Sequence, residues 1–450
     1  MLRLFDTALQ RVAPLELRHP GEVSMYVCGP TVYGDPHIGH GRFTVVWDVL
    51  RRYLEWSGLA VRFVSNITDI DDKIIERARS EGRSAAEVAT EYEAVWYGAM
   101  DALGVRRPDH DPHATAYIGQ MVELVGRLAG DGVAYPAADG VYFDAGRVAD
   151  YGLLAGQPLD SLRAGERVAV VEDKRSPIDF ALWKKAKPGE PQWGSPWGPG
   201  RPGWHTECVV MALDLLGDDF DLHGGGIDLA FPHHENERAQ AVAAGRRFAR
   251  RWVHSGHVVA GTGDKMSKSL GNVLSLPDLL SGADPRAFRL LVLRAHYRSP
   301  MTVTPELLEE TSQALSKVDE LARRVAGVDH PVPADPEQLD RFRDLMDDDL
   351  GTPGAVALVF GLVGEANTAL DGGEAARGTA AAVAALEMLG ALGLSPAIEG
   401  SAPADVVALV SEREQARARR DWARADDLRG ELASRGWTVK DTATGPRLHQ

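Results

Sequence analysis

The tetrapeptide His37-Ile38-Gly39-His40 has residue types suited to phosphate chemistry. It follows a predicted strand and opens a predicted helix, whose N-terminal backbone N–H groups attract phosphate, while the glycine lets a nucleotide approach closely. Histidines three residues apart share a helix face and can donate to phosphate oxygens as charge develops in a transition state. Two ordinary surface histidines would give the same pattern, so the tetrapeptide indicates a nucleotide site only together with other motifs.

The segment Lys265-Met266-Ser267-Lys268-Ser269 is a second candidate for phosphate binding. It lies between Gly261-Thr262-Gly263 and Gly271-Asn272, and such glycines favour a loop that can close over a ligand. Two lysines there can stabilise a triphosphate during adenylyl transfer, because each is a point charge on a long side chain. A solvated basic loop fits the segment equally well on its own. Its position after the histidine tetrapeptide favours the phosphate role.

Two cysteines, Cys28 and Cys208, are candidate metal ligands together with a later helix start. His233 and Glu237 are four residues apart and project from one helical face. Two thiolates, one imidazole and one carboxylate form a plausible zinc shell. His234 is a competing ligand, because it also shares a face with Glu237. Cysteines that pack as small buried hydrophobes are the alternative without a metal.

The run His223-Gly224-Gly225-Gly226-Ile227-Asp228 has two interpretations. Three consecutive glycines most often form a tight turn. They can also form a bed beneath a nucleoside, in which case Asp228 would bind the ribose hydroxyls.

The elements that must position these residues begin with a β-α-β unit. Alternating apolar residues predict a strand over Val23–Cys28, helical spacing predicts a helix over Ile38–Trp56, and a second strand covers Val61–Asn66. A strand, crossover helix and strand indicate a parallel sheet, whose ligands bind at the carboxyl ends of the strands. Cys28 and Asn66 both fall at such ends.

Further along the chain, helical spacing alternates with segments rich in proline and glycine. The Trp-rich segment Lys187–Trp204 is predicted to be a rigid surface loop, and Pro232 suits a first helical position. Other predicted helices cover about 74–135, 208–217 and 233–245. Two further helices are predicted to start at Thr304-Pro305 and Thr352-Pro353, where a capping residue precedes a proline. Two linkers are predicted over Asp329–Pro336 and Leu394–Pro403.

The predicted fold class is α/β: a Rossmann-like parallel-sheet domain with an insertion, followed by a helical bundle domain and a small α+β C-terminal module. The predicted boundaries are 1–300 for the first domain with its insertion at about 110–200, 301–393 for the helical domain, and 404–450 for the module. A length of 450 residues agrees with three domains of about 150 residues each.

Composition excludes several classes of protein. With 44% hydrophobic and 25% charged residues, the chain is not of the disordered, collagen-like or disulfide-rich kind. Two cysteines 180 residues apart do not make a disulfide framework, and they favour a cytoplasmic setting. We expect no signal peptide and no membrane span, because no run of about 18 apolar residues occurs.

Charge gives a mixed indication about nucleic acid. The net charge of −16 argues against such a partner, because phosphate binding usually needs a basic surface. Locally the balance differs, since Arg246, Arg247, Arg250 and Arg251 cluster, and Ser411–Gln450 has nine Lys/Arg against seven Asp/Glu. The local balance therefore leaves room for a nucleic-acid partner.

Together these motifs resemble the class I aminoacyl-tRNA synthetases, and in detail the cysteinyl-tRNA synthetase family. The resemblance extends from residue 1 to about 445 and rests on four blocks in a specific order. The chain departs from the family pattern at Gly34, Phe43-Thr44 and Val209-Val210, near the expected adenylate site. The blocks are Cys28-Gly29-Pro30-Thr31-Val32-Tyr33 with the histidine tetrapeptide, Asn66-Ile67-Thr68-Asp69-Ile70-Asp71-Asp72-Lys73, Gly203 through Glu237, and the lysine segment with Ser269-Leu270-Gly271-Asn272.

The resemblance implies one zinc ion per chain, bound by the thiolate of the substrate cysteine as well as by the protein. Serine's hydroxyl binds zinc far less well, so selection against serine would need no hydrolytic editing. The implied zinc ligands are Cys28, Cys208, His233 and Glu237; the implied cysteine-binding residues are Gly29, Thr31, Thr68 and Trp204; and the implied site for ATP with Mg²⁺ is His37, Gly39, His40, Gly226, Asp228, Lys265 and Lys268, of which His37, His40, Lys265 and Lys268 would be catalytic.

By the same resemblance the protein would be an ATP-dependent ligase. It would activate L-cysteine as cysteinyl adenylate and transfer the cysteinyl group to the 3′ end of tRNA(Cys). The final module resembles an anticodon-binding domain, in which a base can stack on Trp422 beside arginines, although a solvated charged helix face would contain the same arginines. We expect a cytoplasmic monomer that does not bind a membrane. The implied anticodon-binding residues are Arg417, Trp422, Asp426 and Asp441.

Two other functions fit parts of the pattern. The cysteine ligase of mycothiol biosynthesis shares the fold and the adenylate, but it acylates an amino sugar and lacks the C-terminal module that residues 405–449 resemble. A paralogue that binds tRNA or zinc without aminoacylation is the second alternative. The histidine tetrapeptide and the lysine segment, both complete, disfavour it.

Overall fold

The computed structural model describes residues 1–156, 174–259, 275–326, 332–397, 404–418, 421–435, 437–442 and 445–449. Their helices are α1 (Ile38–Trp56), α2 (Asp72–Glu81), α3 (Ala85–Ala102), α4 (Ile118–Gly130), α5 (Trp204–Leu216), α6 (Glu235–Ala243), α7 (Leu276–Gly282), α8 (Pro285–Arg294), α9 (Pro305–Val325), α10 (Pro336–Asp347), α11 (Thr352–Asp371), α12 (Ala375–Ala391), α13 (Ala404–Ala418) and α14 (Trp422–Ser434). Their strands are β1 (Arg3–Asp6), β2 (Arg11–Pro14), β3 (Glu22–Val27), β4 (Ala60–Val64), β5 (Ala134–Ala137), β6 (Gly140–Phe143), β7 (Phe180–Lys185), β8 (Gly200–Pro202), β9 (Phe220–Gly226), β10 (Ala249–Ser255), β11 (Val258–Val259), β12 (Met301–Thr302), β13 (Thr438–Thr442) and β14 (Gly445–His449).

A four-stranded parallel sheet in the order β10-β9-β3-β4 forms the centre of the N-terminal part. The predicted β-α-β unit is confirmed, because β3 and β4 pair in parallel and α1 connects them with the predicted bounds. All four strands run in one direction, so their carboxyl ends meet at the same edge of the sheet. Cys28 and Asn66 lie directly beyond two of these ends.

Helices cover both faces of this sheet. On one face, residues of α1, α3 and α8 pack with Val23 and Met25 in the largest core, and on the other face α5 packs around Tyr26 and Phe220. Each fully buried valine or leucine contributes roughly 1.5–3 kcal/mol to this packing. Gly224 belongs to β9, so the tight-turn interpretation of the glycine run is wrong at this position.

Between β4 and β9 the chain adds α2, α3, α4 and an antiparallel sheet in the order β5-β6-β7-β8. The prediction of a surface loop over Lys187–Trp204 is wrong at its end, because Gly200–Pro202 forms β8 and the backbone of Trp193 pairs with Gly200. Pro202 fits because β8 is an edge strand, where a missing N–H is tolerated. Pro232 also differs from the prediction, since it follows a cis peptide bond before α6 begins at Glu235.

After β12, the described part of the chain is helical from α9 to α14. Thr304 caps α9, as its Thr-Pro pair predicts, whereas Thr352 is the first residue of α11 and Gly351 is its cap. α11 is the one described helix that is long and apolar enough to cross a membrane. Its apolar residues Ala355 and Val359 are buried in the same core as α1, so packing within the protein explains its composition. Helices α13 and α14 and the antiparallel pair β13-β14 complete the predicted α/β fold.

Candidate active site

Four side chains meet at the carboxyl edge of the parallel sheet. Their ligand atoms all lie within 4.8 Å of one another, and all four residues, Cys28, Cys208, His233 and Glu237, are buried. Cys28 Sγ lies 3.6 Å from Cys208 Sγ and 3.5 Å from Glu237 Oε1. Cys208 Sγ lies 3.8 Å from His233 Nε2. Tetrahedral zinc with bonds of about 2.0–2.3 Å separates its ligands by about 3.3–3.8 Å, so these three separations fit one zinc ion.

Hydrogen bonding orients His233 toward the other predicted ligands. Its Nε2 lies 2.9 Å from Glu237 Oε1, and its Nδ1 lies 2.9 Å from Nδ1 of His205. Metal-binding histidines are commonly held in this way through the ring nitrogen that does not face the metal. His205, which the sequence did not single out, therefore supports the position of His233.

His234 lies nearby in a second group of possible ligands, made of Cys28, His223, His234 and Glu237. His234 Nδ1 lies 2.9 Å from His254 Nε2, and His254 Nδ1 lies 2.6 Å from Thr7 Oγ1. His223 Nε2 lies 2.6 Å from Glu237 Oε2. Glu237 is thus surrounded by three histidines, His223, His233 and His234. Of these three, only His233 also contacts Cys208.

The charged forms of three of the four predicted ligands, Cys208, His233 and Glu237, stabilise one another. Burial alone would raise the pKa of Cys208, but its contacts with Cys28 and His233 lower that pKa to about 6. Burial alone would lower the pKa of His233, but Glu237 and Cys208 raise it to about 10. Burial would raise the pKa of Glu237, yet nearby histidines hold it well below its ordinary value. A thiolate and a carboxylate are therefore stable at neutral pH, and these are the forms that bind a metal.

Asn66 connects the predicted cysteine pocket with this cluster. The Gly29 N–H donates to Asn66 Oδ1 at 2.9 Å, and the same oxygen lies 3.6 Å from Cys208 Sγ. Asn66 Nδ2 donates to Thr68 Oγ1 at 3.1 Å, and Thr68 Oγ1 donates to Glu207 Oε2 at 3.1 Å. The sequence indicated Asn66 as a residue at a strand end and as the start of a block that resembles the family, without a role for its side chain, and it did not indicate a role for Glu207.

Trp204 and Thr31 complete the predicted pocket. The Trp204 ring stacks on His233, with 4.0 Å between ring centroids and 20° between planes. Thr31 pairs with Thr68 through the backbone. The structure therefore brings all four predicted cysteine-binding residues to the border of the group of four candidate ligands, and their contact with cysteine stays a prediction.

His37 and His40 form the N-terminal cap of α1. The His37 Nδ1 accepts from the His40 N–H, the His40 Nδ1 accepts from the His37 N–H, and the rings stack 3.8 Å apart. A neutral histidine whose Nδ1 accepts carries its proton on Nε2. Each ring can therefore present an Nε2–H donor, which is the group that the predicted phosphate role requires.

The remaining nucleotide residues are only partly described. Gly226 ends β9, and Asp228 is exposed in a short 3-10 turn directly beyond it, at the same edge as Cys28. Lys265 and Lys268 lie outside the residues that the structure describes. Their segment begins after Val259 and ends before Ser275, both of which are described.

The predicted anticodon residues lie on the last helices and strands. Trp422 opens α14 with 58% of its surface exposed, and Asp426 is exposed on the same helix. Arg417 lies near the end of α13, with its Nε 3.9 Å from Glu414. Asp441 belongs to β13. The structure gathers these residues in one small unit, and their contact with RNA stays a prediction.

The arginine cluster at residues 246–251 is paired with acidic side chains. Arg246 contacts Asp218 at 2.5 Å, and both Arg247 and Arg250 contact Asp219 at 2.7 and 2.6 Å. The local excess of arginine in the sequence therefore does not translate into an equal excess of charge at the surface.

Comparison with known proteins adds three family matches. Residues 14–313 match the class I (C) tRNA synthetase catalytic domain, residues 341–394 match the DALR domain, and residues 399–446 match the cysteinyl-tRNA ligase anticodon binding domain. A cysteine–tRNA ligase of Thermus thermophilus is 45% identical over 99% of this chain and 98% of its own length. That of Alkalilimnicola ehrlichii is 45% identical over 99% of both chains.

Solved structures share the fold at low sequence identity. Methionyl-tRNA synthetase of Mycobacterium tuberculosis in complex with methionyl-adenylate has a TM-score of 0.61 at 17% identity, covering 82% of this chain and 89% of its own. A leucyl-tRNA synthetase of Agrobacterium radiobacter, in a ternary complex, also has a TM-score of 0.61, at 13% identity, with 85% and 84% of the chains covered. These similarities confirm the fold class.

Proposed function

Because the chain belongs to the cysteinyl-tRNA synthetase family of class I synthetases, we propose that it activates L-cysteine with ATP and transfers the cysteinyl group to tRNA(Cys). In the first step the cysteine carboxylate attacks the α-phosphate of ATP, cysteinyl adenylate forms and pyrophosphate leaves. In the second step the 3′-terminal adenosine of the tRNA accepts the acyl group and AMP leaves.

The observation that carries this proposal is the buried group of two sulfurs, one imidazole and one carboxylate beside the strand-end pocket. Cys28, Cys208, His233 and Glu237 would hold a zinc ion, which when bound would supply Lewis-acid chemistry for the substrate thiol. Asn66 fixes the backbone of Gly29 and contacts Cys208, so it couples the pocket to the ligands. Thr68 and Trp204 would orient the substrate along the same edge.

The phosphate chemistry is assigned to the histidine tetrapeptide and the lysine segment. Nε2–H donors of His37 and His40 would bind phosphate oxygens, and Lys265 and Lys268 would neutralise the departing pyrophosphate. No side chain need become covalently attached, because positioning and charge are sufficient for this displacement. Gly39 would allow close approach of ATP with Mg²⁺, while Gly226 and Asp228 would bind the adenosine.

The acceptor is assigned to tRNA on the basis of the C-terminal unit. The match of residues 399–446 to an anticodon-binding domain supports tRNA(Cys) over an amino sugar. In this assignment residues 1–300, with the insertion at about 110–200, form the adenylate, residues 404–450 read the anticodon, and residues 301–393 connect these two parts.

One chain supplies all four ligands, which supports a monomer, and two free cysteines support a reducing cytoplasm.

The decisive assay is cysteine-dependent exchange between ATP and pyrophosphate, followed by a comparison of acceptors. We expect exchange with cysteine, little with serine, and acylation of tRNA(Cys) but not of glucosaminyl-inositol. An absence of exchange would contradict the adenylate step, and exchange without tRNA charging would contradict the acceptor.

Metal content tests the zinc site separately. Cys208→Ser and Glu237→Ala should reduce zinc well below one ion per chain, whereas Glu235→Ala should retain it. Glu235 is a matched control, because it is buried on the same helix but contacts Arg238 and the Leu154 N–H. Unchanged zinc in both ligand variants would overturn the proposed site.

A further inference from the structure

Arg42 is a buried arginine on α1, two residues after the histidine tetrapeptide. It is 1% exposed, and its guanidinium donates to four backbone carbonyls, those of His257, His296, Tyr297 and Ser299. Burial lowers its pKa to about 10, and no carboxylate among the described residues forms an ion pair with it. Burying a cation without a counter-charge is costly, so these carbonyls are the groups that hold it.

The four carbonyls belong to two segments that pair with each other, one of which leads along the chain toward the lysine segment. His257 lies eight residues before Lys265, and Val258–Val259 in β11 pairs with Met301–Thr302 in β12. His296 and Ser299 lie in the connection between α8 and β12. Arg42 therefore joins His257, which precedes β11, and the connection that leads into β12 to the helix that begins with the two histidines.

The chain that follows the lysine segment is also attached to the start of α1. The Leu276 N–H donates to the Pro36 carbonyl at 2.9 Å, and Ser275 pairs with His37 through the backbone. Gly41 lets α1 approach closely, because a Cβ there would lie 2.9 Å from a Leu276 methyl carbon. Both described flanks of the segment are thus fixed to the same turn of helix, one by backbone contacts and the other by Arg42.

The need of these carbonyls for a hydrogen-bond donor does not by itself explain why an arginine is buried here. The Tyr297 carbonyl also accepts from the Gly256 N–H at 2.8 Å, the His257 carbonyl from the Met301 N–H at 3.1 Å, and the His296 carbonyl from the Ser299 N–H at 3.0 Å. What the planar guanidinium adds is a fixed geometry between two chain segments, which a flexible lysine cannot reproduce.

We propose that Arg42 is a positioning residue that fixes the chain leading into the lysine segment, at His257, relative to the histidine tetrapeptide, so that both groups reach the same triphosphate. This inference rests on the proposed function, because it assigns the lysines to pyrophosphate. Arg42 itself touches no substrate in this proposal. Its loss would misplace the lysines in the transition state and leave the cysteine pocket and the zinc ligands unchanged.

The test is a double-mutant cycle between Arg42→Lys and the paired variant Lys265→Ala/Lys268→Ala. Single-turnover formation of cysteinyl adenylate is measured and divided by the concentration of competent sites, which active-site titration provides. In the wild-type background we expect R42K to lower the rate about 10- to 100-fold, with the KM for cysteine within about twofold. In the lysine-free background the same change should lower the rate less than about threefold.

Arg51→Lys is the matched control, since Arg51 is on the same helix and donates to the Arg107 carbonyl and to Asp109. It should leave the titrated rate unchanged in both backgrounds. If R42K fails to fold, Arg42→Gln tests the same point, because an amide retains a donor without the guanidinium geometry.

Multiplicative effects of R42K and the lysine variants would overturn the inference, as would an unchanged rate in R42K. A loss that titration assigns entirely to fewer competent sites would also overturn it, because it would identify a purely structural role. Failure of the proposed function is distinguishable, since the wild-type protein would then show no cysteine-dependent exchange.

Discussion

Gly29→Ala adds a single carbon atom, and the structure predicts that this addition has a large effect on activity. Gly29 follows the metal-ligand candidate Cys28, where β3 ends beside β4. A Cβ at this position would lie 2.8 Å from the carbonyl carbon of Asn66 and closer still to its oxygen. Because these are backbone atoms, no side-chain rotation relieves the overlap, and the two strand ends must move apart.

The required movement is about 1 Å or more, and misplacement by about 1 Å can cost 100-fold in rate. It would break the 2.9 Å hydrogen bond from the Gly29 N–H to Asn66 and disturb the bond from the Thr68 N–H to the Pro30 carbonyl at 3.0 Å. We therefore expect kcat/KM for cysteine in pyrophosphate exchange to fall about 100-fold, equivalent to about 2.7 kcal/mol of transition-state stabilisation. Zinc content should change less, because neither Gly29 nor Asn66 is one of the four predicted ligands.

Gly98→Ala is the matched control, because the same carbon added within α3 meets nothing within 4 Å. Alanine there should leave exchange unchanged and stabilise the protein by about 0.5–1 kcal/mol, since glycine is unfavourable inside a helix. Wild-type kcat/KM in G29A, measured at equal active-site concentration, would refute the close contact between the two strand ends and the role assigned to it.

Three further predictions concern stability, RNA and metal. Asp48→Asn should cost about 3–5 kcal/mol in urea unfolding, because it leaves the buried Arg289 without its carboxylate. Burial would raise the pKa of Asp48, but Arg289 and Arg52 hold it below its ordinary value. The stabilisation is therefore present above about pH 4 and is lost as the pH falls through the folded-state pKa, so the difference in stability between the two proteins should shrink there. Trp422→Ala should reduce tRNA charging at least tenfold in kcat/KM while exchange is unchanged, as loss of a stacked base would require. Chelation should remove zinc and cysteine-dependent exchange together, and added Zn²⁺ should restore both.

Local patterns in the sequence were sufficient for the catalytic β-α-β unit. The bounds of α1 follow from its apolar spacing and from a cap made by residues three positions apart, and both signals lie within the helix. Residue type and spacing indicated the two cysteines and Glu237 as candidate zinc ligands but left His233 and His234 as alternatives, and the choice of His233 came from the resemblance to the family. The structure brings these ligands together, while metal binding itself stays a prediction.

The sequence pattern could not predict the contacts between segments that are distant along the chain. Asn66 links Gly29 to Cys208, which is 142 residues away from it, and Arg42 contacts carbonyls more than 200 residues along the chain. Neither residue type indicates such a partner. Gly200–Pro202 resembled a loop for the same reason, because only pairing with β7 makes it a strand.

The acidic charge of the chain is a weak guide to its partner for a physical reason. Arg246 and Arg247 neutralise Asp218 and Asp219, so arginines that cluster in the sequence are already occupied in the fold. Net charge sums such pairs and free groups alike, whereas phosphate binding depends on the potential within about 10 Å of a contact. Trp422 is more informative, because a tryptophan with 58% of its surface in water gains little from folding and offers a face on which a base can stack. For this protein, aromatic exposure at the C-terminal unit is thus a better physical argument for RNA than the sign of its charge.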